Sequence, residues 1–114
     1  MNCNCTKIFQ GSTPSLYFNT NAPLYNIREI RLTLTQCGIT VLEFNKTRVQ
    51  IVDEDTVKIK LTQQETLLLS SKYEIEPQLR IKYNDGSAVT SDSIPFTIEE
   101  VKKYEVIWYE YNQM

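Results

Sequence analysis

Apolar and polar residues alternate along most of this chain, as they do in strands that bury one face. The alternation is clearest in three stretches, which cover residues 30–34, 57–61 and 73–83. In each stretch every second residue is apolar or proline, and the residues between are Arg, Lys, Thr, Glu or Gln. Because side chains on a strand point alternately to opposite faces, each stretch predicts a strand with one buried and one exposed face.

Turn signals separate the predicted strands. Cys37-Gly38 predicts a tight turn between two antiparallel strands, since glycine tolerates the positive φ that such turns need. Residues 84–87, Asn-Asp-Gly-Ser, predict a second turn. Pro77 has no backbone donor, so it marks a strand start, an edge or a bulge. Apolar residues within 88–98 predict the last core strand.

One segment departs from the period of two. Residues 62–65, Thr-Gln-Gln-Glu, match the capping box, in which the side chains of the first and fourth residues each bond the other's backbone amide. Leu67, Leu68 and Leu69 follow directly. We therefore predict one short helical turn near residues 63–69, whose leucines fill an end of the core.

Together these patterns predict an all-β protein, an antiparallel immunoglobulin-like β-sandwich of about seven or eight strands. The near-absence of amphipathic helix disfavours a parallel sheet. We expect a single domain over residues 1–114, with a core at about 8–103. Residues 1–7 are expected to form a flexible N-terminus, and residues 104–114 a C-terminal aromatic strand or arm.

Composition narrows the chemistry. The sequence has no histidine, the commonest general base and metal ligand, and its three glycines are too few for a phosphate-binding loop. Lys and Arg number 12 against 14 Asp and Glu, a near-neutral balance that argues against nucleic acid and anionic membranes as partners. We expect no enzymatic activity, no cofactor and no metal. No apolar run of signal-peptide length follows residues 1–7, so we expect synthesis in the cytoplasm.

Three weaker chemical candidates have simpler interpretations. Cys3 and Cys5 are potential ligands for a soft metal, but Cys37 is the sole further cysteine, and free thiols are the simpler interpretation. Cys37 lacks a histidine that would activate it as a nucleophile. Residues 53–55, Asp-Glu-Asp, lack the spacing of a calcium loop and indicate a solvated turn.

Four segments carry a resemblance in a consistent order. They are Gln10–Pro14, similar to a QGNTP opening; Leu34–Gly38, similar to an FAQxG hairpin; Val57–Leu69, similar to a strand followed by TQEET or TQEDT and LxL; and Glu76–Asp92, similar to VQIQLRVKTNDGTALASD. These segments resemble small structural proteins encoded by phages and prophages of Gram-positive bacteria. The likeness covers residues 8–103. More distantly, the chain is similar to the immunoglobulin-like N-terminal domain of the upper baseplate proteins of such phages.

The resemblance implies a virion structural protein of the tail or baseplate type, without catalysis and without assigned site residues. Its partners would be other phage structural proteins or further copies of itself, and its location the virion. The chain departs from these relatives over residues 101–114, where they stop soon after a short KIL segment. This extension is aromatic, and its candidate interaction residues are Tyr104, Ile107, Trp108, Tyr109 and Tyr111.

Two arrangements are open for this extension. It is either an arm that adds a strand to a neighbouring subunit, with aromatic residues as anchors, or a final strand on its own sheet. In both arrangements its two faces are apolar, so one face needs a cover.

The leading function is thus a non-catalytic virion building block that acts by self-association or by docking to another phage protein. The alternative is a carbohydrate-binding module with flat stacking faces, which requires at least three aromatic residues on one exposed face. The candidates are Tyr25, Tyr73, Tyr83, Trp108 and Tyr109. A third hypothesis is a host protein from an integrated element, with an unrelated regulatory role.

Overall fold

The computed structural model describes residues 7–107, which form seven strands and one helix. In chain order these are β1 (Ser15–Asn19), β2 (Ile27–Gln36), β3 (Ile39–Phe44), β4 (Gln50–Ile51), β5 (Thr56–Lys60), α1 (Gln63–Leu68), β6 (Glu76–Tyr83) and β7 (Ala88–Asp92). The strand count agrees with the sequence prediction. The alternation that predicted the strands also sets their faces, since Ile30, Leu32 and Leu34 of β2 are each at most 1% exposed.

The strands form two antiparallel sheets, with the orders β1-β5-β4 and β3-β2-β6-β7. This is the immunoglobulin-type arrangement. The first sheet has the order of strands B, E and D, and the second has the order of strands C′, C, F and G. The inner faces of both sheets contribute to one cluster of buried side chains. The predicted all-β, antiparallel immunoglobulin-like sandwich is therefore confirmed.

Both predicted turns are present. Cys37 and Gly38 have φ values of 52° and 76° and form a two-residue connection between Gln36 and Ile39, which pair with each other. Positive φ at both central positions is the requirement of the hairpin turn that matches strand twist. In the second turn Asp85 Oδ1 accepts hydrogen bonds from the Ser87 amide at 2.8 Å and hydroxyl at 2.6 Å. These bonds lower the pKa of Asp85.

The predicted helical turn is α1, and its capping box is complete. Thr62 Oγ1 accepts from the Glu65 amide at 3.1 Å, and Glu65 Oε1 accepts from the Thr62 amide at 2.8 Å. Glu65 also forms two hydrogen bonds of 2.8 Å with the Arg48 guanidinium. The bonds from Arg48 are the main cause of the lowered pKa of Glu65. Leu69 belongs to the core cluster, Leu67 is buried outside that cluster, and Leu68 is exposed.

The last predicted core strand differs from the observed one. Strand β7 ends at Asp92, and Ile94 is 86% exposed; only Phe96 and Ile98 turn back towards the core. The next hydrogen-bonded pair of the ladder would join Ser93 to Pro77, and Pro77 has no amide to donate, so the pairing of β7 with β6 ends at Asp92. After β7 the chain leaves the sheet, and Phe96 then forms an isolated antiparallel bridge with Ile75, the residue before β6. Pro77 is the second residue of β6, as its missing donor suggested.

The two lateral sides of the sandwich are closed to different extents. On the β3–β4 side, residues 45–49 cross from one sheet to the other; Val49 is buried there, and the Arg48 guanidinium lies 4.9 Å from the centre of the Phe44 ring. On the opposite side, β1 and the residues after β7 line a groove. We call this side, with strand β1 and residues 92–96, the open side.

Candidate interaction surface

The groove of the open side has a volume of about 740 Å³ and a mostly apolar lining surface, with Asn19, Asn21, Asp92 and Ser93 as its smaller polar part. Its apolar residues come from three segments of the chain, and they are Ile8, Leu16, Phe18, Ile94 and Phe96. Leu16 and Phe18 are the inward-facing residues of β1 and belong to the core. Ile94 is the most exposed large apolar residue of the described chain. The groove thus joins the core to an apolar surface.

Strand β1 forms one wall of the groove, and no strand within residues 7–107 pairs with its outer edge. The bonds that flank its ladder with β5 run from the Leu61 amide to the Pro14 carbonyl at 3.0 Å and from the Thr20 amide to the Asp55 carbonyl at 2.8 Å. In an antiparallel pair such bonds recur at every second residue, so even-numbered residues of β1 bond to β5. The backbone groups of Ser15, Tyr17 and Asn19 therefore point outwards, and none of the described residues pairs with them.

In an immunoglobulin-type sheet the place beside strand B belongs to strand A. Here the segment before β1 lies elsewhere, because Phe9 bridges in parallel to Glu99 and the Gln10 amide donates to the Glu99 carbonyl at 2.9 Å. The segment has crossed to the residues that follow β7. Within residues 7–107, nothing occupies the strand A position next to β1.

The β1 edge also lacks the features that usually prevent edge strands from pairing. Such features are charged residues, prolines, bulges and short length. Strand β3 contains Glu43 and a register shift in its pairing with β2, β4 has two residues, and β7 ends in Asp92. The five residues of β1, Ser-Leu-Tyr-Phe-Asn, contain neither charge nor proline, and their pairing with β5 has no shift.

The C-terminal candidates are only partly within the described residues. Tyr104 lies against α1, and its hydroxyl donates to the Leu67 carbonyl. Gln63 holds Ile107 by two bonds, accepting from its amide at 2.7 Å and donating to its carbonyl at 2.9 Å. Residues 104–107 are therefore attached to the helix and belong to neither sheet. The side chains of Tyr104 and Ile107 are each more than half exposed. The remaining candidates, Trp108, Tyr109 and Tyr111, lie outside the described residues.

The tyrosines proposed for carbohydrate stacking do not share one face. Tyr25 and Tyr83 line a pocket at one end of the sandwich, where the Tyr83 hydroxyl donates to the Pro23 carbonyl at 2.7 Å. Tyr73 lies at the other end, because its carbonyl accepts from Gln36 at the far terminus of β2. The nine steps from the first to the last of the ten residues of β2 span about 30 Å. The other two candidates, Trp108 and Tyr109, lie outside the described residues.

Cys37 and residues 53–55, the weaker chemical candidates that the structure describes, lie in different turns. Cys37 is exposed at the tip of the β2–β3 hairpin. Asp53 accepts from the Asp55 amide at 3.1 Å, which lowers the pKa of Asp53 and closes an exposed turn. Among residues 7–107, no three metal-ligating side chains lie together. The same part of the chain contains no helix with the length and apolarity needed to cross a bilayer. Cys3 and Cys5 are not among the described residues.

Sequence reasoning missed the open side. The signal available was the uncharged run of residues 15–19 after Pro14. The sequence predicts one or two strands within residues 8–25, but which strand lies at an edge depends on the order of the sheet.

Comparisons with known proteins add one structural similarity. No family model matches the chain, and no curated protein does. The chain is similar to a solved structure of the V domain of amphioxus IgVJ-C2, with 15% sequence identity and a TM-score of 0.37. That similarity covers 83% of this chain and 98% of the other. It concerns the fold alone.

Proposed function

We propose that this protein is a non-catalytic protein-interaction module that binds other proteins through the open side. One observation carries the proposal: the unpaired edge of β1 lies directly beside an apolar groove. An extended segment placed there gains main-chain hydrogen bonds to Ser15, Tyr17 and Asn19. Its alternate side chains enter the groove, which is the physical basis of strand addition.

Both parts of the surface contribute free energy. Each main-chain hydrogen bond formed in such a complex stabilises it by about 1 kcal/mol net. Burial of apolar surface adds about 25 cal/mol per Å², so Ile94 is an efficient contact because nearly all of its side chain is free. One partner strand therefore supplies hydrogen bonds to the unpaired backbone groups and also covers the exposed apolar side chains. This combination favours a protein partner over a small polar ligand.

We further propose that the module is a phage virion protein of the tail or baseplate type, synthesised in the bacterial cytoplasm and assembled with other structural proteins or with itself. The support is the ordered likeness of Gln10–Pro14, Leu34–Gly38, Val57–Leu69 and Glu76–Asp92 to such proteins. Repeated contacts between edge strands suit a particle, because symmetric assembly reuses a single surface many times. The near-neutral charge supports partners other than nucleic acid or membrane.

Carbohydrate binding is the alternative, and the geometry favours it less. It requires several flat rings on one face, whereas Tyr25 and Tyr83 form a pair and Tyr73 is at the opposite end. The open side has the larger and more apolar concavity.

A particle-incorporation experiment tests the proposal with a matched pair of variants. Ile94→Lys places a charge on the open side, and Ile39→Lys places one on an isoleucine of the β2–β3 hairpin that is also well exposed, at 68% against 86% for Ile94. Particles induced from the source strain are purified and probed for the chain. We expect the native chain and Ile39→Lys in the particles, and at least a tenfold loss of Ile94→Lys. Absence of the native chain from particles would contradict the virion role, and equal incorporation of both variants would contradict the open side as the docking surface.

A further inference from the structure

We propose that the partner strand at the β1 edge is β1 of a second copy, which pairs antiparallel with it about a two-fold axis at Tyr17. This inference rests on the proposed function, since it names the occupant of the surface assigned there. Two copies joined in this way form one continuous sheet with the strand order β4-β5-β1-β1-β5-β4. Such an interface is isologous, because the same surface of each copy faces the other.

The register follows from the direction of the backbone groups. The outward-facing residues Ser15, Tyr17 and Asn19 are evenly placed about Tyr17. A two-fold axis at Tyr17 pairs Tyr17 with its own copy and Ser15 with Asn19 of the other copy. All three pairs are of the hydrogen-bonded type, because all members present amide and carbonyl outwards. In a register shifted by one residue, Ser15, Tyr17 and Asn19 would instead face even-numbered residues of the other copy. The backbone groups of those residues already bond to β5, so they could not pair.

The side chains of the strand are compatible with self-pairing. Like charges directly opposite each other destabilise a strand pair, and β1 has no charged residue. On the exposed face the axis places two Tyr17 rings side by side and flanks them with small polar residues. Aromatic pairs across strands are favourable contacts. Lys58 Nζ, 5.8 Å from the Tyr17 ring centre, lies on the β5 side of that ring, away from the axis.

The groove is part of the same interface. It borders the β1 edge along Leu16, Tyr17 and Phe18, so a two-fold axis at that edge brings the grooves of the two copies face to face. Each copy thereby gains cover for Ile94, which no described residue covers in the single chain. An edge of five residues with one groove is a small interface, so we expect association in the weak, transient class.

Disulfide trapping tests the register directly. In full-length chain with Cys3, Cys5 and Cys37 changed to serine, Tyr17→Cys is oxidised and the dimer measured on a non-reducing gel. Hydrogen-bonded antiparallel partners have Cα atoms about 5.5 Å apart, within the range that a disulfide bridges. We expect Tyr17→Cys to give at least tenfold more dimer than Ser15→Cys or Asn19→Cys alone. A mixture of the last two is expected to form a mixed dimer.

The single variants Ser15→Cys and Asn19→Cys are the controls. In the proposed register, residue 15 of one copy faces residue 19 of the other, so two copies of the same cysteine would lie four positions apart. That offset is about 13 Å, too far for a disulfide. Comparable dimer from all three single variants would overturn the two-fold register, and no dimer from Tyr17→Cys would overturn self-pairing. Circular dichroism confirms that each variant is folded.

A second measurement uses the chain with its native cysteines unchanged. Sedimentation velocity is expected to show dimer increasing with concentration for the native chain, and at least a tenfold weaker association for Tyr17→Pro, whose lost amide is not part of the β5 ladder. A native chain that stays monomeric would overturn self-pairing. If Ile94→Lys is still lost from particles in that case, the proposed function stands with a different partner; if it is incorporated normally, both proposals fail.

Discussion

Leu69→Ala is expected to lower the free energy of unfolding by about 3 kcal/mol, whereas Leu68→Ala changes it by less than about 0.5 kcal/mol. The two leucines are neighbours in sequence and identical in chemistry. Leu69 is fully buried, and Leu68 is 60% exposed on the outside of α1. Removing three carbons at residue 69 leaves a cavity in the core beside the C-terminal end of α1. The same change at residue 68 removes atoms that already contact water.

Urea denaturation of the two variants measures this difference, with the slope of the transition checked against the native chain. The adjacent position serves as the control, because the same Leu→Ala change is made there on an exposed side chain; Leu68 is the last residue of α1, and Leu69 is its extended C-cap. Equal destabilisation by the two variants would mean that α1 is oriented differently, with another leucine against the core.

Gln36→Leu is expected to lower the free energy of unfolding by about 3 kcal/mol, since it removes the hydrogen bonds that join the end of β2 to the loop after α1. The Gln36 amide donates to the carbonyls of Ser70 and Tyr73 at 2.7 and 3.0 Å, and it accepts from the Ser70 amide at 2.9 Å. Gln36 is 5% exposed. Leucine has a similar size, but it leaves three backbone groups without partners, and each unsatisfied group is costly when water is excluded.

Gln78→Leu is the matched control for this prediction. The Gln78 amide also donates a hydrogen bond, at 2.9 Å to Asp92 Oδ1, but on the exposed face of β6, where water replaces the lost partner. We expect a change below about 0.5 kcal/mol there. Similar losses from the two variants in thermal or urea unfolding would show that burial does not distinguish the two glutamines, contrary to the structure.

The strands and turns could be predicted from the sequence because their causes are local. Alternation over residues 30–34 and 57–61 specifies which side chains turn inwards, whatever the partner strand. The connection at Cys37-Gly38 and the capping box of α1 depend on groups within four residues of one another. Such features need no knowledge of the sheet order.

The candidate surface could not be predicted because its cause is tertiary. Leu16 and Ile94 line one groove, yet 78 positions separate them in the chain. Residues 15–19 look like any short strand until the sheet order places β1 at an edge and the preceding segment crosses to Glu99. Ile94 had been assigned to the core by alternation, and it is exposed because β7 ends two residues earlier.

The aromatic composition of the C-terminal segment predicts an interaction surface, but composition alone does not show where the segment lies. Hydrogen bonds to α1 hold Tyr104 and Ile107, and residues 104–107 belong to neither sheet. Gln63, which makes the bonds to Ile107, was predicted only as part of the helix. Its role depends on a segment 44 residues away.

Amide hydrogen exchange at Tyr17, followed by NMR as the protein concentration is raised, tests the central claim most directly. The account predicts fast exchange at Ser15, Tyr17 and Asn19 in dilute solution, beside slow exchange at Leu16 and Phe18, whose amides bond to β5. Exchange at Tyr17 should slow markedly as the concentration increases, because a second β1 then accepts its hydrogen bond. Exchange at Tyr17 that is equally slow, or equally fast, at every concentration would contradict the account.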